Sequence, residues 1–348
     1  MKQYGVILIG CGHIGLEHLA DIHFRDNIRM IAVIDQKQEA ARSAAARYGV
    51  AEYGTDWRCY LDDDRVDIVI VATYTDSHPE ISLAFLRKGK HVLCEKPVAS
   101  TAEEGRRFFA EAEQCEGKLL IAHVLRHNET YRKAAELIRG GAIGELTLIR
   151  MVQNHHAMNW ERYKRLLQDC TPALDCGVHY FDVVRWFTGQ EFREMRGFGS
   201  KLDVDSPNIN YTLTQFTLEN GCIGYYEAGW SCHIASNNRK EFVGTKGRLE
   251  LTLSGNRAEC REEGDLITVF HSDTGVYETI NVQAEYKNMY AQLMALIDRI
   301  EKGTNGFPSM TDAARAFDAA AAAEYAVKSG KTIRFCRGIS SIFQEEEK

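Results

Sequence analysis

The sequence predicts an α/β protein of two domains: a doubly wound parallel sheet, followed by a larger and mostly antiparallel sheet. Three observations carry that prediction. Strand and helix patterns alternate through residues 1–124. Near residue 125 the grammar changes to long β-branched and aromatic runs. The chain also opens on a strand, three glycines, a helix, a second strand and an acid, in that order. Alternation of the first kind implies parallel strands with helices on both faces, and the later runs imply antiparallel pairing. A chain of 348 residues is long enough for two cores.

The opening unit comes first. Tyr4–Ile9 is an apolar run that reads as a buried strand, Gly10-Cys11-Gly12-His13-Ile14-Gly15 follows, and Leu16–Phe24 reads as a helix. Met30–Ile34 reads as the next strand and ends in Asp35, twenty positions after Gly15. This order matches a Rossmann dinucleotide-binding unit. Gly10 permits the tight turn, Gly12 lets a pyrophosphate approach the backbone, and Gly15 lets helix pack on strand. His13 and Ile14 stand at the helix N-terminus, where unpaired N–H groups and a partial positive charge favour phosphate. Asp35 is suited to accept hydrogen bonds from the adenosine ribose. A 2′-phosphate there would meet like charge, about 4 kcal/mol per unit-charge pair at ~4 Å and an effective dielectric of roughly 20. Gln36 and Lys37 offer no arginine fork, so the cofactor reads as NAD rather than NADP.

The alternation continues with a strand at Val66–Ala72, a helix at Ser77–Lys88, a strand at His91–Cys94, a helix at Thr101–Glu113 and a strand at Leu119–Val124. Ligands of doubly wound sheets lie outside the carboxyl ends of the strands. The segment Ala72–Glu80, with Thr73, Tyr74 and His78, and the segment Glu95-Lys96-Pro97 should therefore border the cofactor. The second domain, residues 125–348, starts with a helix at Glu129–Arg139 ended by Gly140-Gly141. Strands are expected at Glu145–Gln153, Asn210–Leu218, Cys222–Trp230, Arg239–Val243, Arg248–Leu253 and Leu266–His271. Tyr211, Leu213, Phe216 and Leu218 change phase midway, which reads as a bulge. Helices are expected at Tyr286–Lys302 and Thr311–Lys328, the latter capped by Thr311 or Asp312 and ended at Gly330.

Bulk properties exclude several classes. A net charge of −7 argues against nucleic acid or an anionic membrane as the main partner. No apolar stretch is long enough to span a bilayer, and the N-terminus enters a strand without a signal-peptide pattern. The ten cysteines form no C-x-x-C pair and read as reduced thiols, which points to the cytoplasm. The acidic C-terminus reads as a solvated tail.

One further segment carries chemistry. In Asp175-Cys176-Gly177-Val178-His179-Tyr180-Phe181-Asp182, a helix would set Asp175, His179 and Asp182 along one face. The A-T-x-T-D-x-H-x-E segment at 72–80, the E-K-P segment at 95–97, this D-x-G-x-H-x-x-D segment and the late alanine-rich helix together span nearly the whole chain. In that order and spacing they resemble the glucose–fructose oxidoreductase, inositol dehydrogenase and rhizopine-catabolism (Gfo/Idh/MocA) family of NAD(P)-dependent oxidoreductases. The resemblance implies an N-terminal Rossmann domain plus a C-terminal α/β domain. The latter has a large, open, mostly antiparallel sheet through which relatives commonly form homo-oligomers, here a dimer or tetramer. It also implies NAD-dependent oxidation of a secondary hydroxyl of a cyclic polyol, sugar or sugar derivative. Lys96 matches the family's catalytic lysine, and Asp175 and His179 match its acid and histidine pair.

The residue types suit that chemistry. An imidazole suits removal of the hydroxyl proton near neutral pH, an adjacent carboxylate orients it, and an ammonium stabilises developing alkoxide. A swap of roles between Lys96 and His179 stays open, and Asp182 reads equally as functional or as a partner of Arg185. Candidate substrate contacts are Arg126, Asn128, Asn154, His155, Trp160, Arg162 and Tyr163, besides His179. Cys170-Thr171-Pro172-Ala173-Leu174 stands where many relatives carry a glycine-rich stretch, so no relative's substrate transfers directly. Adjacent His155 and His156 lack a third ligand at recognisable spacing, and no metal is assigned. Two alternatives compete: an enzyme that retains NAD for transient oxidation of a sugar, and a catalytically silent NAD-binding regulator.

Overall fold

The computed structural model describes residues 2–253, 264–285, 287–303 and 307–342. It divides into two compact units, Met1–Val124 with Lys287–Ala314, and Leu125–Tyr286 with Arg315–Lys348. A division at 124/125 assigns the segment Lys287–Ala314 to the second domain; the structure assigns it to the first. Tyr286, where a helix is expected to begin, and the acidic tail at 345–348 lie outside the described residues.

In the first unit six parallel strands run β1 (Tyr4–Ile9), β2 (Ile28–Ile34), β3 (Glu52–Gly54), β4 (Ile68–Val71), β5 (His91–Cys94) and β6 (Leu119–Ile121) along the chain. Their spatial order is β3-β2-β1-β4-β5-β6, with the reversal of direction at β1/β4. Every residue of β1 and β4 is buried, as expected of strands covered on both faces. Helices α1 (His13–Ile22), α2 (Gln38–Tyr48), α3 (His78–Arg87) and α4 (Ala102–Glu113) form the crossovers. Thr101 caps α4 by accepting from the Glu104 N–H.

The segment returning to this unit carries its own adhesive. Leu293, Leu296 and Ile297 of a helix at Met289–Lys302 are essentially fully buried in the core with Leu19 and Ile22 of α1. Each such side chain contributes about 1.5–3 kcal/mol of transfer free energy. Polar contacts fix the register: Tyr290 N–H donates to Asp21 at 2.7 Å, and Lys287 pairs with Glu17 at 2.6 Å. The buried guanidinium of Arg299 donates to the Leu119 and Pro308 carbonyls.

The second unit is built on a ten-stranded sheet. Its strands are β7 (Leu146–His156), β8 (Phe192–Ser200), β9 (Tyr211–Leu218), β10 (Ile223–Ser231), β11 (Lys240–Gly244), β12 (Gly247–Thr252), β13 (Asp265–His271), β14 (Val276–Val282), β15 (Ile333–Cys336) and β16 (Ile339–Ser340). They lie in the order β14-β13-β12-β11-β7-β10-β9-β8-β15-β16. Only β7 and β10 pair in parallel; the other described pairings are antiparallel. Its helices are α5 (Glu129–Arg139), α6 (Trp160–Asp169), α7 (Pro172–Asp175), α8 (Gly177–Thr188) and most of α10 (Met310–Ser329), while α9 (Met289–Lys302) is the helix of the segment assigned to the first unit. Aromatic packing joins α8 to one sheet face: Tyr180 stacks on Tyr226 at 5.0 Å, and Phe181 meets Phe192 and Phe216 edge-on.

Two local expectations are corrected. Strand β9 contains no bulge, because Thr212, Thr214, Phe216 and Leu218 alternate strictly into the core in continuous register with β10. Thr212 satisfies its buried hydroxyl on the Ala228 carbonyl at 3.2 Å, so a polar residue holds an inner position and disguises the period. The irregularity lies in β8, between Phe192 and Glu194. The start of α10 is closed by Ser309, which accepts from Asp312 N–H at 3.0 Å while Asp312 accepts from Ser309 N–H at 3.2 Å. This is a capping-box arrangement that starts two or three residues earlier than expected.

Candidate active site

The parallel order of the first sheet brings the carboxyl ends of β1, β2, β4 and β5 to one edge, and with them Gly10, Asp35, Ala72–Ser77 and Glu95–Pro97. Gly10 adopts φ +98°, and a Cβ there would lie 2.3 Å from the Ala72 carbonyl oxygen. A Cβ on Gly15 would lie 1.9 Å from the Gly10 oxygen. Nothing lies within 4 Å of a Cβ on Gly12, and Gly12 precedes α1 without any side-chain cap. An uncapped helix N-terminus above an open glycine is a fitting cradle for a pyrophosphate.

Asp35 is held beside that cradle. Its Oδ2 accepts from Cys11 N–H and its Oδ1 from Lys37 N–H, each at 2.8 Å. Each oxygen keeps a further lone pair for a ribose hydroxyl. These residues fit NAD. Burial and the neighbouring Asp35 charge push the Cys11 thiol up to about 12, so it is inert beside the loop. His13 turns to Glu17 at 3.1 Å, leaving its backbone, with that of Ile14, as its contribution to the helix N-terminus.

The loop after β4 is tied internally. Ser77 Oγ lies 2.8 Å from both Thr73 Oγ1 and the Tyr74 carbonyl oxygen, and Tyr74 is 40% exposed. His78, expected at the cofactor, is buried between two backbone carbonyls instead: Nδ1 lies 2.8 Å from Pro97 O and Nε2 3.2 Å from Thr73 O, and a neutral ring donates to one of them. Burial is the main force pulling its pKa below the usual histidine range. It joins the two loops and presents no free nitrogen to a ligand.

Glu95 is buried and accepts from His18 Nε2 at 2.8 Å, and its Oε2 accepts from the Lys96 N–H at 3.3 Å. Burial raises the Glu95 pKa, but the His18 hydrogen bond and the charges of His18, Lys96 and Lys287 outweigh it and hold the carboxyl below its ordinary value. Sequence reasoning passed over His18. The signal was there: it occupies the buried α1 stripe Gly15, His18, Leu19, Ile22, where a polar residue needs a reason.

In the second unit the helix expected through residues 175–182 is broken. Asp175 ends α7, whose N-cap Thr171 accepts from Ala173 N–H, and His179 lies in the first turn of α8. The buried carboxylate of Glu324 receives the Thr171 N–H and hydroxyl, anchoring the loop that leads to Asp175. Asp182 is buried in a bidentate pair with Arg126, both contacts at 2.8 Å. Arg126, expected at the substrate, therefore spends its fork inside the fold, and Arg185 pairs with Glu191 at 2.7 Å.

The other expected substrate contacts divide by strand alternation. Gln153 meets Tyr226 on the face packed against α8, so His155 shares that face. Asn154, expected at the substrate, points to the opposite face, where it donates to Glu227 at 2.6 Å. Tyr163 lies against Trp230 and within 3.4 Å of His155 Nδ1. Burial raises its pKa against the lowering charge of Arg162, with the charges of Cys176 and Asp175 adding to the rise. Trp160 donates its indole N–H to Asp205 at 3.0 Å, and Lys164 joins the same carboxylate, while Arg162 is exposed. Asn128 caps α5. Among the described residues no group of three or more His, Cys, Asp or Glu is placed to hold a metal, and no helix is long and apolar enough to cross a membrane.

A Rossmann unit with this glycine cradle and acid defines a dinucleotide-dependent enzyme class. Residues 4–123 match the Gfo/Idh/MocA oxidoreductase family's NAD-binding Rossmann fold, and residues 131–250 match its C-terminal domain. The chain belongs to the Gfo/Idh/MocA family and is an NAD-dependent oxidoreductase acting on CH–OH groups. It is 34% identical to inositol 2-dehydrogenase 2 of Saccharopolyspora erythraea, over 70% of this chain and 72% of that protein. It is 25% identical to myo-inositol 2-dehydrogenase of Thermotoga maritima, over 85% of this chain and 88% of that protein. The fold is shared with scyllo-inositol dehydrogenase of Lactobacillus casei, solved with NAD(H) and scyllo-inositol, at a TM-score of 0.77 and 22% identity, covering 96% and 99% of the two chains.

Proposed function

We propose that the protein is an NAD-dependent dehydrogenase that oxidises a secondary hydroxyl of a cyclic polyol of the inositol type. The observation that carries this reading is the 34% identity with an inositol 2-dehydrogenase over most of both chains. The presence of Lys96, Asp175 and His179 supports it, because a non-catalytic NAD-binding protein has no need of a proton-transfer set.

On this reading three side chains divide the work. The His179 imidazole takes the hydroxyl proton, and Asp175 orients the ring and favours its protonated form. The Lys96 ammonium donates to the same oxygen and stabilises its developing negative charge. Bound NAD supplies the hydride acceptor. Tyr163, Trp230 and His155 are the side chains we assign to the substrate ring, in place of Arg126 and Asn154. The free described cysteines support a reducing cytoplasm, and we assign the open face of the ten-stranded sheet to a homo-oligomer contact.

The test is NADH formation at 340 nm across inositols, aldoses, sugar acids and sugar phosphates, with NAD and NADP in parallel and Lys96→Ala as control. Turnover of inositols with NAD, lost in Lys96→Ala at unchanged NAD affinity, is the expected result. Silence across the panel, with NAD bound tightly, would replace the dehydrogenase by an enzyme that retains its cofactor or by a regulator.

A further inference from the structure

We propose that His18 and His78 are positioning residues for Lys96: two buried imidazoles, from two helices of the first unit, fix the backbone on either side of the lysine. The proposal rests on the reading of Lys96 as the residue that meets the reacting oxygen.

On the N-terminal side the link is a carboxylate. His18 is fully buried, its Nε2 lies 2.8 Å from Glu95 Oε1, and its Nδ1 has no hydrogen-bond partner among the described residues. Glu95 is thus the ring's one polar commitment. A histidine in an apolar helix stripe loses water on burial, and an aliphatic residue would pack there without that loss. The other Glu95 oxygen accepts from the backbone N–H of Lys96 at 3.3 Å, and the Glu95 N–H continues the sheet ladder to Val71 O at 2.9 Å. One carboxylate therefore references the lysine's own amide to α1, the helix whose N-terminus forms the pyrophosphate cradle.

On the C-terminal side the link is a carbonyl. Pro97 has no N–H, so its carbonyl is its only backbone hydrogen-bonding group, and His78 Nδ1 holds that oxygen at 2.8 Å. The second nitrogen of His78 lies 3.2 Å from Thr73 O, which sets the ring beside the loop after β4 without a second hydrogen bond, because a neutral imidazole carries one N–H. A lysine ammonium sits on a flexible four-carbon stem, and its placement depends on a backbone that does not wander. A displacement of about 1 Å at a reacting group can cost about a hundredfold in rate.

The test uses the full-length protein with NAD and the substrate found in the panel. His18→Leu removes the carboxylate's anchor; His18→Gln keeps a donor near Nε2. His78→Leu and His78→Asn form the matching pair for Nδ1. Two readouts are taken: kcat against KM for NAD, and hydrogen exchange of the Lys96 amide in the cofactor-free protein. Both leucine variants should lower kcat by about 10- to 100-fold with KM for NAD within about threefold. His18→Leu should also speed Lys96 amide exchange at least about tenfold while peptides of β1 and β4 keep their protection. The amide-bearing replacements should recover most of kcat. Near-normal kcat and unchanged exchange in the leucine variants, beside an inactive Lys96→Ala, would reduce both histidines to packing and overturn the proposal. An active Lys96→Ala would instead overturn the role of Lys96. If His18→Leu does not fold, Glu95→Gln, which keeps the size and drops the charge, is measured by the same two readouts, and normal kcat with unchanged exchange in that variant overturns the proposal equally.

Discussion

Replacing Arg126 by methionine separates a structural arginine from a substrate-binding one. The motif reading set Arg126 at the substrate; the structure closes its fork on Asp182 through Nε–Oδ2 and Nη2–Oδ1 contacts of 2.8 Å each. The side chains of the pair are only 3% and 1% exposed, so solvent screening gives almost no relief. An exposed pair would be worth about 0–1 kcal/mol, but removing one partner of a buried pair costs about 3–5 kcal/mol, because the other charge stays behind. Arg126→Met should therefore lower stability by about 3–5 kcal/mol, which for a unit of about 200 residues is a fall in melting temperature of roughly 6–20 °C. The double variant Arg126→Met/Asp182→Leu should recover most of the loss, since an apolar pair of similar volume is often neutral or stabilising. Urea unfolding of wild type, both single variants and the double gives the coupling energy, provided the m-values agree. A loss under about 1 kcal/mol with a roughly tenfold rise in substrate KM would refute the argument and return Arg126 to the substrate.

Three further outcomes are expected. Asp35→Ala should weaken NAD binding by about 10- to 100-fold and relax the rejection of NADP, because a charged acceptor is lost and the like charge facing a 2′-phosphate disappears; titration of both cofactors checks it. Gly12→Ala should leave the melting temperature within about 1 °C yet impair NAD binding, whereas Gly15→Ala should damage both, since its Cβ meets the Gly10 carbonyl at 1.9 Å while that of Gly12 meets nothing within 4 Å. Stability should also depend on pH through His78, whose pKa is depressed from 6.5 chiefly by burial. The unfolded chain takes up that proton first, so its contribution is complete above about pH 6.5 and is lost as pH falls towards the folded value. His78→Asn should flatten urea midpoints between about pH 6.5 and 5, and an unchanged slope would remove His78 as the cause.

Much of the candidate site is legible in the sequence because its signals are local. A glycine that must turn, a glycine that must admit a phosphate and an acid ending the second strand recur at short, fixed spacings, and the motif segments follow strand ends that apolar runs mark plainly. Strand and helix types were legible for the same reason. What stayed hidden depended on partners far along the chain or on which way a side chain points. Alternation says that Asn154 and His155 face opposite ways, but only the pairing of β7 with β10 and the packing of α8 decide which of them faces α8.

By itself the sequence determined the class: an α/β chain with a dinucleotide cradle, an acid ending the second strand, and the lysine, aspartate and histidine proposed here for hydride-transfer chemistry. Tertiary structure decided how charges are spent. It gave Arg126 to Asp182 across 56 residues, Glu95 to His18 across 77, and Lys287–Ala314 to the first unit. A charged side chain reads as functional in a sequence because burial is invisible there. Once folded out of water it must take the partner that geometry supplies, and the free energy of leaving it unpaired fixes that choice.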